Sequence, residues 1–428
     1  MATARQPLTV GLISTERGWH GGEEQARLLL TGLRHRGHRC LVLARRGGAF
    51  AERMVRDQFA VCTFPGSGRS PWAIGTIRRQ LRRCAVDAVH FNDAHAVTAG
   101  GLATLGWKRV LRVGARRVDF PVRSPYRYRM FCDRLICVSQ AVAGICQHAG
   151  VPRTILRVVP DGVDPERVAS GSRRAGRLAL GVGDTQRLLL SVATLADHKG
   201  HRHLIDAMPR VLARCPQAIL ALAGDGPLAG DLRRQAAERG VAGQVRLLGF
   251  RHDVPDLLAA CDLFVHPSHM EGMGSSLIDA MLAGRPIVTT TAGGIPEVVG
   301  VDGDGRGPVA WLTPPRSSRE LAEAILEALA DDVRCGQFVQ LARQRALQRF
   351  TDACVVQATL EVYCEGLAER RVSAGRVPPA DQHPADVTPI GAAGRTPCTT
   401  SRARMHAMAD VARTSLTQGG RSQGWRCS

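Results

Sequence analysis

"CDLFVHPSHMEGMGSSLIDAMLAGRPIVTTT", residues 261–291, holds a complete strand, loop, helix and strand in one short stretch. The run DLFVHPS is a brief apolar strand, HMEGMG is too glycine-rich to prolong it, and SSLIDAMLAG has helical spacing. Gly284 ends that helix and Pro286 follows it, so PIVTTT opens a new strand. A helix crossing between two strands makes them parallel neighbours. In open parallel sheets ligands gather at the carboxyl ends of the strands, which is where this loop places Glu271.

The same alternation runs through both halves of the chain. LTVGLI, CLVLA, AVCTF, DAVHF, RVLRV and RLICVS form a first series of strands. RLLLSVA, AILALAG, VRLLGF, DLFVHPS and PIVTTT form a second, beginning after residue 185. Two series predict an α/β protein of two doubly wound, Rossmann-like domains. VPRTILRVVPDGVDPERV, broken by Pro160, Gly162 and Pro165, reads as their connection. The expected domains are 1–160 and 161–345. A helix over 346–369, with apolar positions at Val355, Leu360 and Val362, follows them. From 370 to 428 the chain turns to Pro, Gly, Ser, Thr and Arg, too poor in large apolar residues to offset the entropy of ordering, and disorder is expected there.

At 428 residues with 44% hydrophobic content, two cores are affordable to the chain. Its formal charge of +19 points to an anionic partner, although all but two of its 57 basic residues are arginine, a bias typical of a GC-rich genome. Thirteen cysteines without a CxxC fit neither a metal nor a disulfide framework, so a reducing cytoplasm and no metal are expected. No run reaches eighteen apolar residues, so any membrane contact should be peripheral. With 4% aromatic residues and no nucleic-acid motif, a nucleic-acid partner is not expected. An NAD enzyme is disfavoured too, because the first turn lacks the dinucleotide fingerprint.

Two features suit phosphate. Gly21 and Gly22 stand where the first helix begins and would let backbone N–H groups approach an anion, although Glu23 and Glu24 would repel one placed too near. An ordinary strand-to-helix turn explains the glycines equally. Lys199 follows the first strand of the second series and precedes a helix, either as a phosphate partner or as a solvated loop lysine. Glu271 is flanked by Gly272 and Gly274, which expose backbone donors. Asp279, two turns into the helix, also has capping-box spacing from Ser276.

Residues 223–299, together with CDRLICVSQAV, VVPDGVD and the opening GGEEQ, resemble the family-four retaining glycosyltransferases of the GT-B fold, of the bacterial cell-envelope and lipopolysaccharide type. The resemblance spans residues 8–368 in the family's order. It implies a nucleotide-diphosphate sugar in the C-terminal domain facing an acceptor across a cleft, with no further cofactor. In family terms Glu271 contacts the transferred sugar, and Asp279 holds the ribose where relatives have a glutamate, roughly 1.5 Å longer in reach. Lys199 matches the diphosphate-binding lysine, but Thr194 stands in the place of its arginine partner. Backbone groups at Gly272, Met273 and Gly274, with Gly21 and Gly22 across the cleft, then carry more of the phosphate load. A histidine of the N-terminal domain often lies near the reacting sugar; His95 is the candidate here, with His90 the other possibility and Arg116 and Arg117 where some relatives place that histidine.

The expected activity is glycosyl transfer with retention, to a lipid-linked or lipopolysaccharide-type acceptor, in the cytoplasm and at an anionic membrane surface. A non-catalytic sugar-nucleotide binder and a nucleotide-sugar epimerase are the alternatives.

Overall fold

The computed structural model describes residues 6–301 and 307–373. All of them fall in one contact unit. The first sheet contains β1 (Thr9–Ser14), β2 (Arg39–Arg45), β3 (Ala60–Phe64), β4 (Ala88–Phe91), β5 (Leu111–Arg116), β6 (Arg134–Cys137) and β7 (Leu156–Val158), in the order β3-β2-β1-β4-β5-β6-β7. The second contains β8 (Arg187–Val192), β9 (Ala218–Ala223), β10 (Val245–Gly249), β11 (Leu263–His266), β12 (Ile287–Thr290) and β13 (Trp311–Thr313), in the order β10-β9-β8-β11-β12-β13. Every pairing within both sheets is parallel.

Burial explains the strands' composition. β9, AILALA, and β11, LFVH, are buried along their whole length because helices cover both faces of a parallel sheet. In each sheet the strand order reverses once, between β1 and β4 and between β8 and β11. The loops leaving those strands therefore diverge and open a crevice at each switch point. Gly21 and His95 follow β1 and β4, while Lys199 and Glu271 follow β8 and β11.

Several expectations need correction. Leu156–Val158, taken as part of a linker, is the edge strand of the first sheet, and Trp311–Thr313 is a further edge strand of the second. Each is three residues long, too short for a visible period. A boundary at 346 falls inside the helix Asp332–Arg349, whose buried Arg345 donates to the carbonyl of Val298 at 2.8 Å and so belongs with the second domain. Residues 370–373 continue the last helix, Asp352–Ser373, rather than beginning a tail. The remainder of the expected tail, from 374 onward, lies outside the described residues.

That last helix packs on the first sheet. A Cβ on Gly32 would meet Val356 at 2.4 Å, and one on Gly366 would meet Leu111 at 2.5 Å, so glycines let the last helix approach both the helix Gly21–His35 and the sheet closely. Arg370 pairs with Asp133 at 2.6 Å. Tyr363, fully buried, shares a 2.8 Å hydrogen bond with Nδ1 of His90. Burial, with the Arg117 charge adding to it, pulls the His90 imidazole down to about 3, so the ring is neutral near pH 7. His90 is thus engaged in holding the final helix. Tyr363→Phe strands that nitrogen and should cost about 1–3 kcal/mol, read as a lowered urea midpoint; an unchanged midpoint would remove this contact from the stability of the fold.

Candidate active site

Glu271 is built into place by three loops. Its carboxylate accepts from Lys199 Nζ at 2.7 Å, from Ser268 Oγ at 3.1 Å and from His266 Nε2 at 2.9 Å. His266 ends β11 and is buried, and with Nε2 donating, its Nδ1 is left to face Ser276 Oγ at 3.5 Å. Lys199 comes from the turn after β8. That turn closes on Gly200, at φ 71°, where a Cβ would strike the Pro267 carbonyl oxygen at 2.0 Å. Only glycine tolerates both the dihedral and the approach. The loop after β12 holds the backbone of Glu271: Gly294 N–H donates to its carbonyl at 3.0 Å, and Gly293 lies so close that a Cβ would sit 2.0 Å from the same oxygen.

The electrostatics follow from this geometry. Glu271 is 7% exposed, and burial alone would raise its carboxyl. The Lys199 ammonium and the His266 donor outweigh that effect and hold the group well below the usual carboxylate range. A carboxylate kept ionised this firmly is a poor proton donor. It is suited to accepting hydrogen bonds from hydroxyls and to stabilising positive charge nearby.

The first domain reaches this loop. Ser139 Oγ donates to the Gly272 carbonyl at 2.8 Å, and the Asp161 N–H donates to Met273 Sδ at 3.1 Å. Glu297 accepts from the N–H groups of Gln140 and Ala141 at 2.7 and 2.9 Å, closing the start of the helix Gln140–His148. The ring of Phe120 meets His198 edge-on at 5.4 Å. A Cβ on Gly272 would lie 2.2 Å from the Arg117 carbonyl oxygen, an approach of backbone to backbone that no side-chain shift relieves. Gly272→Ala should therefore force the two domains apart at the loop, costing about 1–3 kcal/mol and lowering activity together with thermal midpoint. An alanine variant with both unchanged would show that this contact is dispensable.

The candidates take different places. Lys199, Glu271, Gly272, Met273 and Gly274 lie in one continuous loop system, Gly274 turning the chain at φ 87° into the helix Ser275–Leu282. Ser276 and Asp279 do not form a capping box; the helix has no side-chain cap, and Asp279 is ion-paired with Arg167. Burial pushes the Asp279 carboxyl up to about 6 against the pull of Arg167. Thr194 is exposed on the loop after β8. A Cβ on Gly21 would meet nothing within 4 Å, and one on Gly22 only Asn92 Nδ2 at 3.9 Å. Neither glycine is demanded by packing, and the helix start opens onto free space. Its positive end already faces Glu23, which is buried and accepts from the His20 N–H at 3.2 Å, Asn92 Nδ2 at 3.2 Å and Ser14 Oγ at 3.3 Å. His95 is exposed in the first turn of the helix Ala94–Ala103, its backbone N–H capped by Asp93 at 2.9 Å.

Arg117 has a structural duty the sequence does not display, and Asp119, His266 and Ser268 escape the sequence reading altogether. Arg117 bridges Asp161 at 3.1 Å and Asn92 Oδ1 at 2.9 Å, fixing three loops of the first domain. Asp119, between Arg117 and Phe120, is half-buried. Its carboxyl is raised by burial and by the Glu271 charge, against the pull of Lys199 and His198. Its position beside Arg116 and Arg117 was the available signal. His266 and Ser268 gave none, because strand-end His and Ser are ordinary.

The chain matches the family described as Glycosyltransferase Family 4 over residues 19–167 and Glycosyl transferases group 1 over residues 186–331. It is 33% identical over 275 residues to the GDP-mannose-dependent monoacylated alpha-(1-6)-phosphatidylinositol monomannoside mannosyltransferase of Corynebacterium glutamicum, a match covering 59% of this chain and 70% of that one. The chain is a family-four glycosyltransferase of the GT-B type. This glycosyltransferase is also 29% identical over 192 residues to the 2-deoxystreptamine glucosyltransferase of Streptomyces kanamyceticus, covering 44% of this chain and about half, 48%, of that relative. The crystal structure of Anabaena HepE in complex with UDP-glucose superposes with a TM-score of 0.71 at 26% identity, covering 85% of this chain and 100% of that one. Among the described residues of the glycosyltransferase, no helix is long and apolar enough to cross a membrane.

Proposed function

We propose that this glycosyltransferase moves a hexosyl or related sugar from a nucleoside-diphosphate donor to a lipid-linked or envelope-glycan acceptor, with retention at the anomeric carbon. The observation that carries the reading is the Lys199–Glu271 pair, an ionised carboxylate and its cation set at the switch point of the second sheet. Complexes of a similar protein with UDP-glucose support a nucleotide-sugar donor.

Glu271 accepts from sugar hydroxyls and offsets the positive charge that develops at the anomeric carbon. Lys199, with three N–H donors, keeps one on Glu271 and turns the others to the diphosphate. Backbone N–H groups at Gly272, Met273 and Gly274, and at Gly21 and Gly22 across the cleft, complete the anion's surroundings, with Thr194 at their edge. Asp279 reaches the ribose by exchanging Arg167 for a hydroxyl. His95 approaches the sugar from the first domain. The acceptor oxygen attacks from the face the leaving phosphate vacates: a carbon–oxygen bond forms, the bond to phosphate breaks, and the acceptor proton passes to the departing phosphate oxygen. The enzyme works in the cytoplasm, peripheral to the inner membrane.

A non-catalytic binder is the second reading, favoured by Thr194 in an arginine's place and by Asp279 already paired with Arg167. A screen of nucleoside-diphosphate sugars, scoring nucleotide release with and without bacterial membrane extract, tests both. Release dependent on extract supports transfer. Binding without release supports the binder, and conversion of the donor sugar without release points to an epimerase.

A further inference from the structure

The acids gathered at the carboxyl ends of the two sheets have donors of their own. Glu271 accepts from Lys199, His266 and Ser268, and Asp161 accepts from Arg117. Glu23 accepts from Ser14 and Asn92, Asp93 takes the N–H and hydroxyl of Thr15, and Asp279 is paired with Arg167. Asp119 differs. Among the described residues it accepts from no side chain, and its carboxylate meets only its own backbone N–H.

Its place is nevertheless closely set. Asp119 lies in the loop that follows β5 and reaches the second domain. Arg116, buried at the end of that strand, donates to the Phe120 carbonyl and to Tyr128 Oη, the latter at 3.4 Å. Arg117 is clamped by Asp161 and Asn92. On one side of Asp119 the Arg117 carbonyl closes on Gly272, and on the other the Phe120 ring closes on His198. The carboxylate therefore faces the loops that leave β8 and β11, and the charged groups it senses there are Glu271, Lys199 and His198. None of these is bonded to it. Glu271 repels it, Lys199 is directed at Glu271 at 2.7 Å, and burial pulls the His198 imidazole below its ordinary value, leaving the ring neutral near pH 7. A carboxylate half out of water is stabilised when a ligand supplies the donor that the protein withholds.

We propose that Asp119 binds the acceptor, its carboxylate taking the hydrogen bond of the hydroxyl that attacks the anomeric carbon. Glu271 meets the donor sugar from the second domain and Asp119 meets the acceptor from the first, so the attacking oxygen is held between the two halves. The hydrogen bond turns a lone pair of that oxygen toward the carbon, and an oriented encounter replaces a random one. Asp119 keeps no proton at the end, because the departing phosphate oxygen takes it. A carboxylate facing Lys199 also repels a diphosphate, so this residue is suited to a neutral hydroxyl and not to the donor. The inference rests on the transferase reading given above, and the measurements below separate the two.

Transfer is measured on the full chain with the nucleoside-diphosphate sugar selected by the screen above, varying donor and bacterial membrane extract separately. Asp119→Ala should lower the rate at limiting extract by about tenfold to a hundredfold, the contribution of one hydrogen bond to a charged group. Asp119→Asn should fall between alanine and wild type, since its amide oxygen still accepts. In both variants the donor KM, and the donor Kd by calorimetry, should stay the same or decrease, and the thermal midpoint should not move. A residue that merely latched the domains would lower the midpoint and weaken donor binding together, and that result would overturn the proposal. So would an Asp119→Ala chain with the wild-type dependence on extract, or one whose sole defect is a raised donor KM, and in either case the transferase reading would stand. If wild type releases no nucleotide from any donor with extract, the transferase reading fails and this role fails with it.

Discussion

Glu271→Gln is expected to lower kcat for transfer by about a thousandfold while the protein stays folded at 25 °C. Glutamine keeps the shape and one acceptor oxygen, so Ser268 and the loop glycines find the same surroundings, but the negative charge is gone. Loss of one charged group that acts on a developing charge in a partly closed site removes about a hundred- to a thousandfold. Lys199 is left without its partner. Removing one member of a buried pair costs about 3–5 kcal/mol, and the low end applies because 18% of the lysine side chain remains in water. Against a total stability of about 5–15 kcal/mol the variant still folds. Stability against pH separates the two effects. The folded-state carboxyl of Glu271 lies below its ordinary value of 4.5, since Lys199 and His266 outweigh burial. A group shifted in that direction contributes stability that is fully present above 4.5 and disappears as pH falls toward the folded value. Wild type should therefore lose its advantage over the glutamine variant as the medium is acidified from pH 4.5, and the urea midpoints should converge. Transfer at the wild-type rate in a folded Glu271→Gln protein would remove this carboxylate from the chemistry.

Much of this arrangement is legible in the amino-acid sequence. Strand, loop and helix around Glu271 are encoded by an apolar run, two glycines and a stop at Gly284, each a local signal. The parallel topology follows from alternation, and it brings Lys199 and Glu271 to one switch point although 72 residues separate them. What the sequence concealed has a common physical character, namely partners chosen across the fold. Asp279 pairs with Arg167, 112 residues away, and His90 with Tyr363, 273 residues away. No local period records either choice. The capping-box spacing of Ser276 and Asp279 finds no use because the helix begins earlier, with Gly274 as its N-cap and Ser276 already inside the first turn. Gly272 illustrates the reverse: its sequence context suggested exposed backbone donors, while the structure gives it a second duty, letting Arg117 of the other domain approach. The edge strands β7 and β13 escaped because three residues cannot display a period of two convincingly.

Lys199→Met should cost transfer a similar hundred- to thousandfold, divided unequally between binding and chemistry. Charge on the leaving diphosphate grows as the bond to the anomeric carbon breaks, so a cation beside it stabilises the transition state more than the bound donor. The fall in kcat should therefore exceed the rise in donor KM. On the donor site proposed above the lysine carries an unusual share, because Thr194, read as standing in the place of an arginine partner, has a hydroxyl that supplies no charge. Methionine nearly matches the length of the lysine stem, so the turn Asp197–Lys199 and its seat against Pro267 are preserved, and Glu271 retains Ser268 and His266 as donors. The exposed position of Thr194 allows a direct check. If a positive charge at the carboxyl end of β8 is what matters, adding Thr194→Arg to Lys199→Met should recover at least tenfold in kcat, since a guanidinium can bind phosphate through two parallel N–H groups. In the otherwise unaltered chain Thr194→Arg should lower the donor KM. If Lys199→Met turns over donor normally, or if Thr194→Arg restores nothing while the arginine variant binds donor as tightly as wild type, the leaving group is stabilised elsewhere and the loop after β8 serves only to hold Glu271.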